Sequence, residues 1–265
     1  MPANATDLVL DIGNTRTKLA LFQADRVLRW AAVPTGDVGA VQQFLSADRP
    51  MAVAIGSVAK PDPTFMQAME AIAPVLELTG STPAPILSRY TTPLTLGADR
   101  LANVVAAAQR FPQRPVLVID LGSCTTYDLC GADGTYAGGA ISPGLRMRAK
   151  AMHAYSARLP LVEPPDPPAL VGTTTEEALA AGIHHGLVGE IEGFAQRYGK
   201  DRPGMAVVLT GGDAVRFVRG SENGIFAIPL LTLEGYHALL LHHRTRLRDP
   251  FAPATRRAGG ASAAG

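Results

Sequence analysis

Short apolar runs and helix-spaced apolar stripes alternate along this chain. Leu8 to Asp11 reads as a buried strand that ends on an acid and opens into the turn Gly13-Asn14-Thr15. Lys18 to Phe22 and Arg26 to Ala32 read as two further strands joined by the polar turn Gln23-Ala24-Asp25, and Ala52 to Ser57 as another. Between them, Asp37 to Leu45 and Pro63 to Ala73 carry apolar residues at the spacing of a helix face. Gly97 to Phe111 is a stronger helix signal, with Leu101, Val104, Val105 and Ala108 on one stripe and Pro112 and Pro115 marking its end.

The pattern then restarts. Val116 to Asp120 is again a buried strand ending on an acid, followed by a Gly122-Ser123-Cys124-Thr125 turn and a strand from Thr126 to Cys130. The turn Gly131 to Gly134 leads to Tyr136 and the pair Gly138-Gly139, which reads either as a glycine-rich segment of a site or as a plain hairpin turn. Pro143 to Ser156 is expected to be a helix with proline in its first turn. Thr174, with Glu177 three residues on, predicts a capping box opening a helix to about Tyr198. Met205 to Leu209 is a strand delivered onto Thr210-Gly211-Gly212-Asp213, and Thr232 to Arg246 a last helix. Asp11-Ile12-Gly13-Asn14-Thr15 thus echoes Asp120-Leu121-Gly122-Ser123-Cys124-Thr125 in a matching strand–turn–strand context, which implies two similar halves facing one another. The expected division is residues 1–114, residues 115–248 and a disordered Pro/Ala/Gly/Arg tail at 249–265.

Composition narrows this picture by exclusion. The 265 residues are 47% hydrophobic, enough to bury a sizeable core, and the net charge of +1 offers no field for nucleic acid or an anionic membrane. No run approaches the roughly 18 apolar residues of a membrane span, and the first residues carry no signal-peptide pattern. Two cysteines, Cys124 and Cys130, fit a reduced compartment without a disulfide, so the expectation is a soluble cytoplasmic protein. The pairs His184-His185 and His242-His243 are adjacent, point about 100° apart on a helix, and are read as surface or packing residues rather than metal ligands.

The chemistry lies in the two acid–glycine–hydroxyl turns. Glycine lets backbone N–H groups approach a phosphate closely, hydroxyls add donors, and a carboxylate at the strand end can hold a cation that neutralises phosphate charge. Two such turns across a cleft would grip a triphosphate from both sides. In series, Asp11-Ile12-Gly13-Asn14-Thr15-Arg16-Thr17-Lys18, Gly97-Ala98-Asp99-Arg100, Asp120 to Thr126, Gly138-Gly139-Ala140-Ile141-Ser142-Pro143-Gly144 and Thr210-Gly211-Gly212 resemble the motifs of type III pantothenate kinases, in that family's order, over roughly residues 8–245.

That resemblance implies an α/β fold of two actin-like (ribonuclease H-like) halves, each a mixed sheet flanked by helices, with the nucleotide cleft between them. It also implies ATP with Mg2+, a monovalent cation (K+ or NH4+), a homodimer with active sites near the subunit interface, and pantothenate as acceptor. By the same resemblance, Asp11, Ile12, Gly13, Asn14, Thr15, Arg16, Thr17 and Lys18 form the first ATP-phosphate loop, with Asp11 near magnesium, and Ser123 touches ATP. Asp120 holds the monovalent cation, Asp99 is the general base, and Tyr90, Gly97, Ala98, Asp99, Arg100 and Thr175 contact the acceptor. A carboxylate suits Asp99's role because the attacking alcohol must lose its proton as it meets phosphorus. Arg100, permanently charged, suits pairing with substrate or the transferring phosphate. The sequence departs from the family at Ser123, usually threonine, at Cys124, often alanine, and at Thr174, often asparagine. Ser123 keeps the hydroxyl.

Three rival functions fit the same fold: a kinase with another hydroxylated acceptor, a catalytically idle relative serving as a regulatory or transcription-associated accessory protein, and a filament-forming ATPase. An idle relative could lose Asp11, Asp99 or Asp120, yet all three are present, and a filament protein has no use for Gly97 to Arg100.

Overall fold

The alternating pattern resolves into two five-stranded mixed sheets with helices on both sides of each. The computed structural model describes residues 5–57, 62–163, 167–217 and 225–248; the tail expected at 249–265 lies outside the described residues. The first sheet holds β1 (Thr6–Ile12), β2 (Arg16–Gln23), β3 (Arg26–Pro34), β4 (Val53–Ser57) and β5 (Val75–Leu78), in the order β3-β2-β1-β4-β5. The second holds β6 (Val116–Leu121), β7 (Cys124–Cys130), β8 (Tyr136–Pro143), β9 (Ala206–Thr210) and β10 (Ile225–Ala227), in the order β8-β7-β6-β9-β10. In both, the first three strands are antiparallel neighbours and the last two run parallel to the first. The echo between the two motifs is therefore a repeat of whole-sheet topology.

Each sheet buries both faces. On β1, Leu8, Leu10 and Ile12 point into a cluster with Val41 and Leu45 of α1 (Val38–Leu45) and Phe65 and Met69 of α2 (Pro63–Glu70), while Val9 points the other way. On β6, Leu117, Ile119 and Leu121 meet Leu145 and Ala149 of α4 (Leu145–Ala154) and Ile183 and Leu187 of α5 (Thr175–Gly199), while Val116 and Val118 point back. The inward faces share one central core with α3 (Ala98–Arg110) and α6 (Leu231–Arg248). These two helices hold equivalent places, each following the last strand of its sheet. They cross so closely that a Cβ on Gly235 would stand 2.0 Å from the Ala102 carbonyl oxygen.

The helix starts follow local chemistry. Asp37 and Asp62 cap α1 and α2 through their carboxylates, with Pro63 at the first turn, and Thr174 and Glu177 close the expected capping box at α5. One expectation fails. Pro143 does not open α4 but ends β8, and Gly144 is the residue before the helix. β8 is the edge strand of its sheet, where a missing N–H leaves no ladder bond unmade. Gly138 and Gly139 lie within β8 rather than in a turn, since a Cβ on Gly139 would collide with the Tyr127 carbonyl oxygen of β7.

Candidate active site

β1 and β6 are the middle strands of their sheets, and each carries its motif acid next to its last residue. Asp11 stands opposite Lys18 on β2 and Gly56 on β4, and Asp120 opposite Thr126 on β7 and Thr210 on β9. Both chains then double back: the Gly13 N–H donates to the Arg16 carbonyl and the Gly122 N–H to the Cys124 carbonyl, each at 3.1 Å. Gly13 to Arg16 separate the paired Ile12 and Thr17, whereas only Gly122 to Cys124 separate Leu121 and Thr125, so the second turn is tighter by one residue. Asn14, Thr15, Arg16 and Ser123 are exposed on these turns, while Ile12 and Thr17 are buried beneath. Of the expected phosphate loop, Ile12 and Thr17 therefore have only backbone to offer.

Two further glycine turns close onto the second one. A Cβ on Gly144 would stand 2.4 Å from the Gly122 carbonyl oxygen, and the Gly144 N–H donates to the Ser123 carbonyl at 3.2 Å. Gly211 adopts φ +92°, and a Cβ there would lie 2.5 Å from Asp120 Oδ1. The Asp213 N–H donates to the Leu121 carbonyl at 3.0 Å. Beside this patch opens a cavity of about 520 Å3, lined by Leu145, Ala149, Leu161 and Val162 and by Arg146, Lys150, Arg216 and Glu163, the last paired with Arg146.

Asp99 enters from α3. Gly97 caps the helix, Ala98 is buried, and Asp99 sits half-buried in the first turn, its Oδ1 accepting from the Arg100 N–H at 2.8 Å. Its charge acts on both motif acids. Burial first, and then the like charge of Asp99, push Asp11 up to about 6 against the pull of Lys18. The same two causes push Asp120 up to about 7 against Asn103 and Lys18, with Asp11 adding to the repulsion. Asn103, one turn along α3 from Asp99, donates to Asp120 Oδ2 at 3.0 Å and accepts from the Thr232 hydroxyl at 2.9 Å. From α6, the Tyr236 hydroxyl approaches Asp11 Oδ1 at 3.5 Å. The charge of Asp99 on α3 thus acts on both motif acids, and Lys18 opposes it at each of them.

Arg100 is committed elsewhere. Its Nε and Nη2 form a buried ion pair with Asp128 of β7, at 3.0 and 2.6 Å to Oδ1, and Nη1 alone reaches Tyr90, 3.4 Å from the hydroxyl. Burial alone would favour the neutral guanidine, and the Asp128 carboxylate reverses that, so the guanidinium stays charged. Tyr90 lies parallel to Tyr136, with ring centroids 6.0 Å apart. Thr175 is exposed at the first position of α5, and among the described residues no hydrogen bond, ion pair or ring contact joins it to this group. Asn103, Asp128, Thr232 and Tyr236 were not anticipated from the sequence. A carboxylate inside the apolar run Thr126 to Cys130 was the available signal, because a buried acid requires a partner.

The acids suit a magnesium ion. Two half-buried carboxylates held above their ordinary range lack positive charge, and a hydrated divalent ion binds through one or two carboxylates plus phosphate oxygens. Among the described residues, no three His, Cys, Asp or Glu side chains gather into an all-protein metal cage. No described helix is long and apolar enough to cross a membrane.

Known proteins resemble this chain in sequence and in fold. The sequence profile of the type III pantothenate kinases matches residues 7–197. A type III pantothenate kinase of Christiangramia forsetii is 37% identical over 242 residues, covering 91% of this chain and all of that protein. Among solved structures, a Campylobacter jejuni protein described as a Baf family transcriptional activator superposes with a TM-score of 0.59 at 19% identity, over 90% of this chain and 99% of that one. The activator of 2-hydroxyisocaproyl-CoA dehydratase from Clostridium difficile, solved with bound ADPNP, superposes with a TM-score of 0.52 at 14% identity, over 94% of this chain and 100% of that one. At such identities the structures establish only the actin-like fold of paired mixed sheets. Sequence similarity over nearly the whole length says more: the chain belongs to the type III pantothenate kinase family.

Proposed function

We propose that the protein transfers the γ-phosphoryl group of ATP to the primary hydroxyl of pantothenate, giving 4′-phosphopantothenate and ADP at the head of coenzyme A synthesis. The observation that carries this reading is the matched placement of Asp11 and Asp120 at the glycine turns ending β1 and β6, with Asp99, whose charge acts on both, next to Arg100 and its contact with Tyr90. The exposed turns from Gly13 to Arg16 and at Ser123 suit the phosphates, with Lys18 as a counter-charge. The cavity between α4 and Arg216 suits the nucleoside: two residues of its lining, Arg146 and Arg216, also act on Asp213 of the late turn. Asp99 accepts the proton of the attacking hydroxyl, and Arg100 Nη1 with the Tyr90 hydroxyl orients the rest of the acceptor. Asp11 would hold magnesium, which would supply charge neutralisation on the transferring group. Asp120 would hold a monovalent cation, K+ or NH4+, where Gly211 leaves its Oδ1 uncrowded.

The finer properties belong to the same proposal. A homodimer is supported by α5, where Gly182, Gly186 and Gly189 line one open face, and by the exposed Met152, Tyr155 and Leu161. A cytoplasmic site of action, with neither nucleic acid nor membrane as partner, fits the near-neutral charge. The regulatory alternative is not favoured, because all three acids are retained and gathered.

The test is ADP release by the purified protein with ATP, magnesium and pantothenate, with and without potassium, alongside Asp99→Asn. Pantothenate-dependent release that needs potassium and collapses in Asp99→Asn is the expected result. A folded protein that binds ATP yet ignores pantothenate sinks the substrate assignment.

A further inference from the structure

Arg100 follows Asp99 on α3, and the orientation of its side chain is set mainly by one acid. Asp128 is fully buried on β7, and the Arg100 side chain is only 6% exposed. Arg100 Nε donates to Asp128 Oδ1 at 3.0 Å and to Oδ2 at 3.2 Å, and Nη2 donates to Oδ1 at 2.6 Å. The Tyr136 hydroxyl donates to Oδ1 at 2.7 Å and the Thr126 hydroxyl to Oδ2 at 3.0 Å, so both oxygens of Asp128 are saturated by groups that leave it one orientation.

The consequence for Arg100 follows from the shape of a guanidinium. Its Nε–Nη2 edge is spent on Asp128, which leaves the far side of the fork, with Nη1 at its tip, to act on anything else. Nη1 lies 3.4 Å from the Tyr90 hydroxyl, and the Tyr90 ring lies under Arg100 with its centroid 5.5 Å from Cζ. Tyr136 in turn lies parallel to Tyr90, so the acid, its donor tyrosine, the arginine and the half-buried Tyr90 form one stack. The clamp also ties the first turn of α3, which carries Asp99, to β7, whose other end opens at the Ser123 turn.

We propose that Asp128 is a positioning residue for the acceptor. It aims Arg100 Nη1 at the acceptor beside Tyr90 and fixes the Asp99-bearing helical turn relative to the second phosphate turn. This rests on the reading of the site as a kinase for pantothenate. Asp128 touches neither substrate nor nucleotide; it acts through Arg100. A merely structural ion pair would instead hold α3 on the second sheet without favouring one substrate over the other.

Steady-state kinetics with both substrates varied separates the two roles. Asp128→Asn, Arg100→Gln and the double variant are compared with the unaltered protein, with folding checked by circular dichroism. The expected result is a rise of at least ~10-fold in KM for pantothenate with a lowered kcat and KM for ATP within about twofold. The Asp128→Asn effect should also disappear in the Arg100→Gln background, because it is transmitted through that side chain. Parallel rises in both KM values, or additive effects in the double variant, would overturn the proposal. If Asp128→Asn does not fold, Tyr136→Phe keeps both charges and removes one donor to Asp128. A selective rise of roughly threefold in KM for pantothenate then supports the proposal, and unchanged constants overturn it. An unaltered protein that does not turn over pantothenate fails the functional reading first, and this inference with it; normal turnover with insensitive variants fails Asp128 alone.

Discussion

The phenol of Tyr236 fills the space that a side chain on Gly56 would need: a Cβ there would lie 2.0 Å from Tyr236 Cζ and 2.2 Å from its hydroxyl. Gly56 is the β4 neighbour of Asp11, so this single missing methyl lets α6 deliver a buried hydroxyl to the first motif acid. Gly56→Ala should displace Tyr236, cost ~2–3 kcal/mol of stability by overpacking, and raise KM for ATP through Asp11. Urea unfolding together with kinetics checks it; a fully stable, fully active variant would refute the packing account.

Asn103 performs the matching task for the second acid, holding Asp120 with its amide N–H and Thr232 with its carbonyl. It is wholly buried, so Asn103→Leu strands the Thr232 hydroxyl and removes the donor to Asp120. The expected cost is about 1–3 kcal/mol, with a weaker potassium response. Thr232→Val should reproduce part of the stability loss and little of the potassium effect.

These two residues mark where reading the sequence stopped. The apolar stripe of α3 was legible because Leu101, Val104 and Val105 recur at helical spacing, and the twin strands β1 and β6 because each is an apolar run closed by an acid and a glycine. Topological duplication followed from that echo. β5 and β10 were not anticipated, being four and three residues long, too short to display alternation. Pro143 misled because its helix-start preference is strong, whereas its edge-strand position depends on sheet order, which no local window contains. Asp128 and Tyr236 were invisible for a related reason: their partners, Arg100 and Asp11, lie 28 and 225 residues away.

The open glycine face of α5 gives the proposed homodimer a direct test. Nothing lies within 4 Å of where side chains at Gly182, Gly186 and Gly189 would begin, so Gly186→Arg is compatible with the fold of one chain. It should leave circular dichroism intact while shifting sedimentation from dimer to monomer. A Gly186→Arg protein that remains dimeric places the interface elsewhere.

The crowded acids predict how stability depends on pH. Asp120 and Asp11 are raised to about 7 and about 6, above the ordinary carboxylate value near 4, so their contribution is fully present at low pH and lost as pH rises through those values. The protein without added cations should therefore lose stability between about pH 4 and 7. Asp120→Asn should flatten that decline and be more stable than the unaltered protein at pH 8 by roughly 1–3 kcal/mol. Urea midpoints across that range decide the matter: an Asp120→Asn curve parallel to the original would show that the carboxylate is not strained by burial.

Asp7 should behave in the opposite sense. Burial raises its carboxyl, but hydrogen bonds from His237 and Arg244 outweigh that and hold it below its ordinary value. Arg244 pairs both of its terminal nitrogens with the two Asp7 oxygens, and His237 stacks on Phe22 with centroids 4.2 Å apart. The cluster fastens the far part of α6 to the first strand of the chain, away from the motif acids. Its stabilisation is present above the unfolded carboxylate pKa near 4 and disappears as pH falls through the lower folded value. Asp7→Asn should cost about 2–4 kcal/mol at pH 7, because it leaves the partly buried Arg244 uncompensated. The difference from the unaltered protein should shrink as pH falls below about 4, where the native acid is also losing its charge. An Asp7→Asn penalty that stays constant down to pH 3 would mean that α6 is held by packing and not by this pair.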